Sequence, residues 1–262
     1  ERPMTRLTPE VFQKALDHLV AVDPHLAEIR AAHGDPPLRS RPPGFAALLQ
    51  IIVEQQLSVA AARTIWGRLE AAMGEATPTA LLTLDDAALR ACGLSRGKAI
   101  YARGLALDIT EGRVDLAALE TMEDEAAIAE LVKIKGIGRW SAEIYLLATL
   151  ARADVWPVDD LAIATATGKV KGFRVRPKRR TLIRLAETWR PYRSVAARLM
   201  WHYFRNVLMT PNGGTKHDPA RRKKRRKVAA KPASKARPKV AKKKAPVRKK
   251  PMRKNKKKAG KK

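Results

Sequence analysis

The 262-residue sequence holds a single cysteine, Cys92. That excludes a disulfide framework within the chain and any zinc or iron–sulfur site built from several thiolates. The five histidines (His18, His25, His33, His202 and His217) show no HExxH spacing, so no metal site is expected. No segment approaches the roughly 18 consecutive apolar residues of a membrane-spanning helix, and no signal peptide opens the chain. A soluble, intracellular protein with no membrane partner is expected. Aromatic residues number only 13 (five Trp, four Tyr, four Phe), so the position of each tryptophan carries information. Acidic residues are also few, 25 against 54 Lys and Arg, which leaves a net charge of +29.

The positive charge is unevenly placed. From Arg221 to Lys262, 24 of 42 residues are Lys or Arg and none is acidic; the rest of the chain has 30 basic against 25 acidic residues. The basic segment has no aromatic and almost no large apolar side chain, so it cannot bury enough surface to offset its ordering entropy. Residues 216–262 are therefore expected to form a disordered tail, and residues 1–215 a folded domain. The tail's natural partner is a polyanion, bound through release of condensed counterions. With 45% hydrophobic residues over the whole chain, the domain has enough apolar material for a core.

The domain reads as helix after helix. Thr8-Pro9-Glu10 opens the first in N-cap style, with proline at the first helical position. Pro36, Pro37, Pro42 and Pro43 break the chain before the apolar run that starts at Phe45, and Ser58 divides that run as an N-cap. Short helices follow near 78–92, one from Ser95, a turn at Glu111-Gly112-Arg113, one from about Glu123 to Ile134, and one from Arg139 to Ala151. Two more cover roughly 178–188 and 191–208. No run alternates with period two over a strand's length. The expected fold is all-α: a two-lobed bundle of about ten helices.

Two features carry chemistry. In Lys135-Gly136-Ile137-Gly138, a glycine turn joins two helices. Glycine permits positive φ and close backbone approach, and the next helix offers unsatisfied N–H groups at its positive end. Such a turn favours a phosphate, with Ile137 plugged inward and Lys133, Lys135 and Arg139 adding charge. It can equally be a tight connection that binds nothing. Downstream, Asp159-Asp160 follows Pro157-Val158 and precedes a helix. Either acid can serve as an N-cap while the other points elsewhere. Trp140 on the helix leaving the turn and Trp201 on the last long helix can be core or ligand-facing.

The segments LVKIKGIGRWSAEIYLLATL and DVWPVDDLAI resemble the helix-hairpin-helix DNA glycosylase superfamily, and most closely its 3-methyladenine DNA glycosylase II branch. IIVEQQLSVAAA, GLSRGKA and WRPYRSVAARLMWHYF support the likeness, which extends over about residues 8–210. The resemblance implies that Asp160 is the catalytic carboxylate and that Asp159 is not essential. Trp140 falls where members that also nick DNA carry a Schiff-base lysine, which implies a monofunctional enzyme. Trp140, Ile144 and Trp201 would form the base pocket, with Ile144 where some members have a tyrosine. DNA contacts are implied at Lys133, Lys135, Gly136, Ile137, Gly138, Arg139 and Ser141 of the hairpin, and at Ser95 and Lys98. Gln55, Gln56, Leu57 and Ser58 match the loop that fills the gap left by a flipped nucleotide. Gln56 stands where a leucine wedge can occur, and Glu54 where glycine is frequent. The N-terminal β-rich domain of some relatives has no counterpart in this sequence.

What the resemblance implies is removal of alkylated bases of the 3-methyladenine type in base excision repair. The nucleotide is flipped from the duplex and its N-glycosidic bond hydrolysed with the help of Asp160. No cofactor is expected beyond a monovalent cation at the hairpin carbonyls, and the partner is double-stranded DNA with damaged bases, bound by a monomer. The location is cytoplasmic and nucleoid-associated in a bacterium, nuclear in a eukaryote. Two other readings stand beside this one: a non-enzymatic DNA-binding or compaction protein, and a glycosylase for mismatched or deaminated bases.

Overall fold

The computed structural model describes residues 5–210; the expected tail at 216–262 lies outside the described residues. Two units are distinguished, Glu1–Asp218 and Pro219–Lys262, and only the first contains described residues. These form twelve α-helices, with no strand beyond an isolated bridge between Arg6 and Arg152. The all-α expectation holds.

Local chemistry sets most of the helix starts. The Thr8 side chain accepts from the Val11 amide at the head of α1 (Pro9–Val22), and Asp23 accepts from the His25 amide to open α2 (Pro24–His33). After the proline-rich stretch come α3 (Phe45–Glu54) and α4 (Val59–Met73), separated at the Ser58 cap as expected. Thr77, Asp85 and Ser95 cap α5 (Pro78–Thr83), α6 (Asp86–Cys92) and α7 (Arg96–Thr110). Each cap satisfies one of the orphan amides of a first turn and contributes about 1 kcal/mol. Then follow α8 (Asp124–Lys133), α9 (Arg139–Ala148), α10 (Leu161–Val170), α11 (Arg179–Ala186) and α12 (Arg193–Tyr203), the last running into a π-helical turn, Phe204–Leu208.

The helices form two sets around a continuous apolar core. In one, α3, α4, α6 and α7 pack on each other, with α5 against α7; in the other, α12 packs on α1, α2 and α10. Helix α9 joins them. It packs on α3 and α8, its Tyr145, Leu146 and Leu147 are fully buried, and its Leu147 carbonyl accepts from Arg198 of α12 at 3.2 Å. α9 ends at Ala148 rather than at Ala151. The buried Arg152 guanidinium turns inward to donate to the carbonyls of Leu119, Glu120 and Met122 at 2.9–3.1 Å, and Ala151 adopts φ 54° to let the chain turn. Among the described residues no helix is long and apolar enough to cross a membrane.

Candidate active site

The glycine turn between α8 and α9 is closed by the Ile137 amide donating to the Ile134 carbonyl at 3.0 Å. Ile137 is buried, as its place between two glycines suggests. Gly136 has φ 92°, and a Cβ there would lie 2.3 Å from Cγ of Tyr101 on α7. Glycine is obligatory at that position. Gly138 does not use that freedom: it is the N-cap of α9 with φ −91°, and its Cβ would meet nothing within 4 Å. Nothing inside the protein demands glycine there, and no side chain caps the first turn of α9. The open surface and free amides suit a phosphate.

The charges expected around this turn are partly spent. Lys133 pairs with Glu130 at 2.6 Å, and Arg139 donates to Glu125 at 2.7 and 3.0 Å and to Glu143 at 3.0 Å, leaving Lys135 as the exposed cation of the turn. Glu143 is buried, and burial pushes its carboxyl up to about 7 against the opposing pull of Arg139. It lines a cavity of about 220 Å³ together with Asp124, Trp156 and Arg193.

The loop after α3 is tied directly to the turn. Gln55 Nε2 donates to the Gly136 carbonyl at 2.9 Å and to Ser141 Oγ at 3.0 Å. Ser141 is thus a buried anchor and does not face the surface. Lys98 also points inward, its Nζ donating to the carbonyls of Val53 and Gln55 at 2.7 Å, and burial depresses its pKa. Ser58 and Ser95 cap α4 and α7. Gln56 and Leu57 are left at the tip, exposed, with Gln56 held at φ 56°. A non-glycine residue in that region is strained, and such strain collects at functional loops. Glu54, half-buried, pairs with Arg41 at 2.7 Å.

Asp160 is where these elements converge. It is the N-cap of α10, its Oδ1 accepting from the Ile163 amide at 2.9 Å. The same oxygen accepts from the Trp201 indole at 3.1 Å, and Oδ2 accepts from the Trp140 indole at 3.0 Å. The residue is buried to 9% exposure, while both tryptophans are half-buried and keep part of their ring surface open. Asp159 is instead exposed and ion-paired with Arg179. Ile144, one turn beyond Trp140, belongs to the core. So the structure unites Asp160, Trp140 and Trp201, places them beside the turn, and clamps the 55–58 loop to that turn. The roles of Gln55 and of Tyr101 could not be read from the sequence, because each depends on a partner far along the chain. Among the described residues no cluster of three metal-ligating side chains occurs.

A glycine turn between helices, a carboxylate at the head of the helix after next and an exposed loop tied to that turn form the arrangement that the resemblance to DNA glycosylases implies. The sequence pattern of the HhH-GPD superfamily base excision DNA repair proteins matches residues 49–191, and the chain belongs to that family. It is 30% identical over 161 residues to DNA-3-methyladenine glycosylase 1 of Schizosaccharomyces pombe, covering 60% of this chain and 71% of that protein. The 3-methyladenine DNA glycosylase of the same yeast, solved with abasic DNA, superposes with a TM-score of 0.68 at 29% identity, over 72% of this chain and 95% of the other. A DNA-3-methyladenine glycosidase of Bacillus halodurans gives 0.63 at 34% identity, over 72% and 88%.

Proposed function

We propose that the protein is a monofunctional DNA glycosylase that removes alkylated bases of the 3-methyladenine type in base excision repair. The observation that carries this reading is the carboxylate of Asp160, fixed by three donors between two part-open indole rings next to the glycine turn. A flipped nucleotide costs a few kcal/mol, least when the base is damaged. N3- or N7-alkylation makes a purine cationic, and an indole face attracts a cation by about 0.5–2 kcal/mol. Trp140 and Trp201 supply such faces. A cationic base also leaves without a general acid. The sugar then gains oxocarbenium character, and the ionised Asp160 stabilises it and orients the attacking water. Trp140 in place of a Schiff-base lysine leaves no amine to cut the strand, so the product is an abasic site.

DNA is the partner, and the protein acts on it as a monomer, at the nucleoid of a bacterium or in the nucleus of a eukaryote. No cofactor enters the chemical step. At the hairpin, the Gly136 carbonyl already accepts from Gln55, which leaves it a lone pair for a monovalent cation that would serve strand binding. The role of pure binder fits less well: a carboxylate beside a phosphate site repels the backbone, and a binder gains nothing from it. The test is base release under single-turnover conditions from duplexes carrying 3-methyladenine, 7-methylguanine, hypoxanthine, uracil or a G·T mismatch. Asp160→Asn retains the cap and should bind DNA as the parent does, with the rate on alkylated duplexes falling at least 10²-fold or so. Release at the parental rate by Asp160→Asn would refute the mechanism, and preferred release of uracil or of the mismatched base would move the substrate class.

A further inference from the structure

Of the free positive charge of the described residues, only Lys135 stands at the glycine turn, and a denser run lies elsewhere. From Lys169 to Arg184, eight of 16 residues are Lys or Arg and none is acidic. Lys171 is spent on Asp23 and Arg179 on Asp159. Lys169, Arg174, Arg176, Lys178, Arg180 and Arg184 are exposed and make no ion pair among the described residues. Phe173 and Val175 stand exposed between the arginines, Val175 to 77%. Charged groups that repel one another without internal compensation, interleaved with uncovered apolar groups, are matched by a ligand that is both polyanionic and partly apolar.

The segment's path brings it to the reacting carboxylate. After α10 the chain reverses, and Pro177 packs so closely on α10 that a Cβ at Gly168 would lie 2.9 Å from its Cδ. The ion pair of Arg179 with Asp159 then fixes the returning strand one residue from Asp160. Arg176, Lys178 and Arg179 line a cleft of about 390 Å³ with Asp159, Leu161 and Leu182, at the start of the helix that Asp160 caps. Helix α10 is about 15 Å long, which is roughly four base-pair steps of 3.4 Å. We infer that residues 169–184 form a second contact surface for the sugar–phosphate backbone of the substrate duplex, flanking the reacting nucleotide, separate from the glycine turn. The arginines and lysines meet phosphates, and Phe173 and Val175 lie against sugars.

This rests on the reading of Asp160 as the reacting carboxylate on DNA, and the test separates the two. Equilibrium binding of the full chain to an undamaged duplex is measured against salt for the parent, for Arg174→Ala/Arg176→Ala, and for a control of equal charge, Lys14→Ala/Arg90→Ala. Two lost phosphate contacts lower the slope of log affinity against log salt by about 1.8 in the first variant. The control keeps the parental slope. Arg180→Glu, on the surface of α11, weakens binding in the same sense. A parental slope in the double variant, or an equal change in the control, overturns the surface, including in favour of an acidic protein partner. A parent that binds with the expected slopes yet releases no base leaves the surface standing and removes the glycosylase reading instead.

Discussion

The position of Asp160 sets two demands on one side chain. It caps α10 with Oδ1, and it presents a carboxylate to the space between two indoles. The adjacent Asp159 offered a division in which one acid caps and the other points elsewhere, and the structure shows it: Asp160 caps α10 while Asp159 is drawn outward by Arg179. The Asp160 carboxylate still has enough lone pairs for the amide and both indoles. The tryptophans therefore act on the carboxylate through their N–H edges, apart from any stacking by their faces. Phenylalanine at either position keeps a ring and loses the donor. A hydrogen bond to a charged group contributes about 1.5–3 kcal/mol, so Trp140→Phe and Trp201→Phe should each slow single-turnover release about 10- to 100-fold at saturating DNA. Rates equal to the parent's would mean that the cap alone holds Asp160 in place.

At the scale of the element, the two glycines of the turn serve different ends. Gly136→Ala forces a Cβ into the Tyr101 ring at φ 92° and should cost about 2–4 kcal/mol in urea unfolding. Gly138→Thr meets open space and adds a capping hydroxyl, so stability should hold or rise by up to about 1 kcal/mol while affinity for any duplex falls. A Gly138→Thr protein with parental affinity would mean that no strand approaches that point. The helix starts at Thr8, Ser58 and Ser95 were legible because an N-cap is a local device, and Asp23-Pro24 before α2 carries the same signal as Thr8-Pro9. The turn was legible in its glycines, whereas the grouping of Asp160 with Trp140 and Trp201 was implied only by the family resemblance. What the sequence hid was set by distant partners. Arg152 ends α9 early through carbonyls 30 to 33 residues away, Glu125 takes Arg139 from across α8, and carbonyls at Val53 and Gln55 take Lys98 from the surface. The basic flank of the turn is thus thinner than its residue types imply, and Glu130 three residues before Lys133 is the local sign of that pairing.

Across the whole molecule, α9 links the two helix sets and carries both Trp140 and Glu143. Glu143 is buried against the cavity behind the turn, where burial outweighs Arg139 and lifts its carboxyl from 4.5 to about 7. A carboxyl whose folded pKa is raised favours the folded state most while it is neutral. Its contribution is fully present below about pH 4.5 and is lost as pH rises through 7, in total about 3 kcal/mol. The parent should therefore unfold in less urea at pH 8 than at pH 5. Glu143→Gln keeps the shape and a hydrogen-bonding head but cannot ionise, so its urea midpoint should change by much less between the same two values. Because the comparison is a difference between two proteins that share every other titrating group, the histidines and the acids paired at the surface drop out of it. If both proteins lose stability equally from pH 5 to pH 8, the carboxyl at this junction is not what the pH acts on; if only the parent does, the helix that holds Trp140 against Asp160 is anchored most firmly when Glu143 carries its proton.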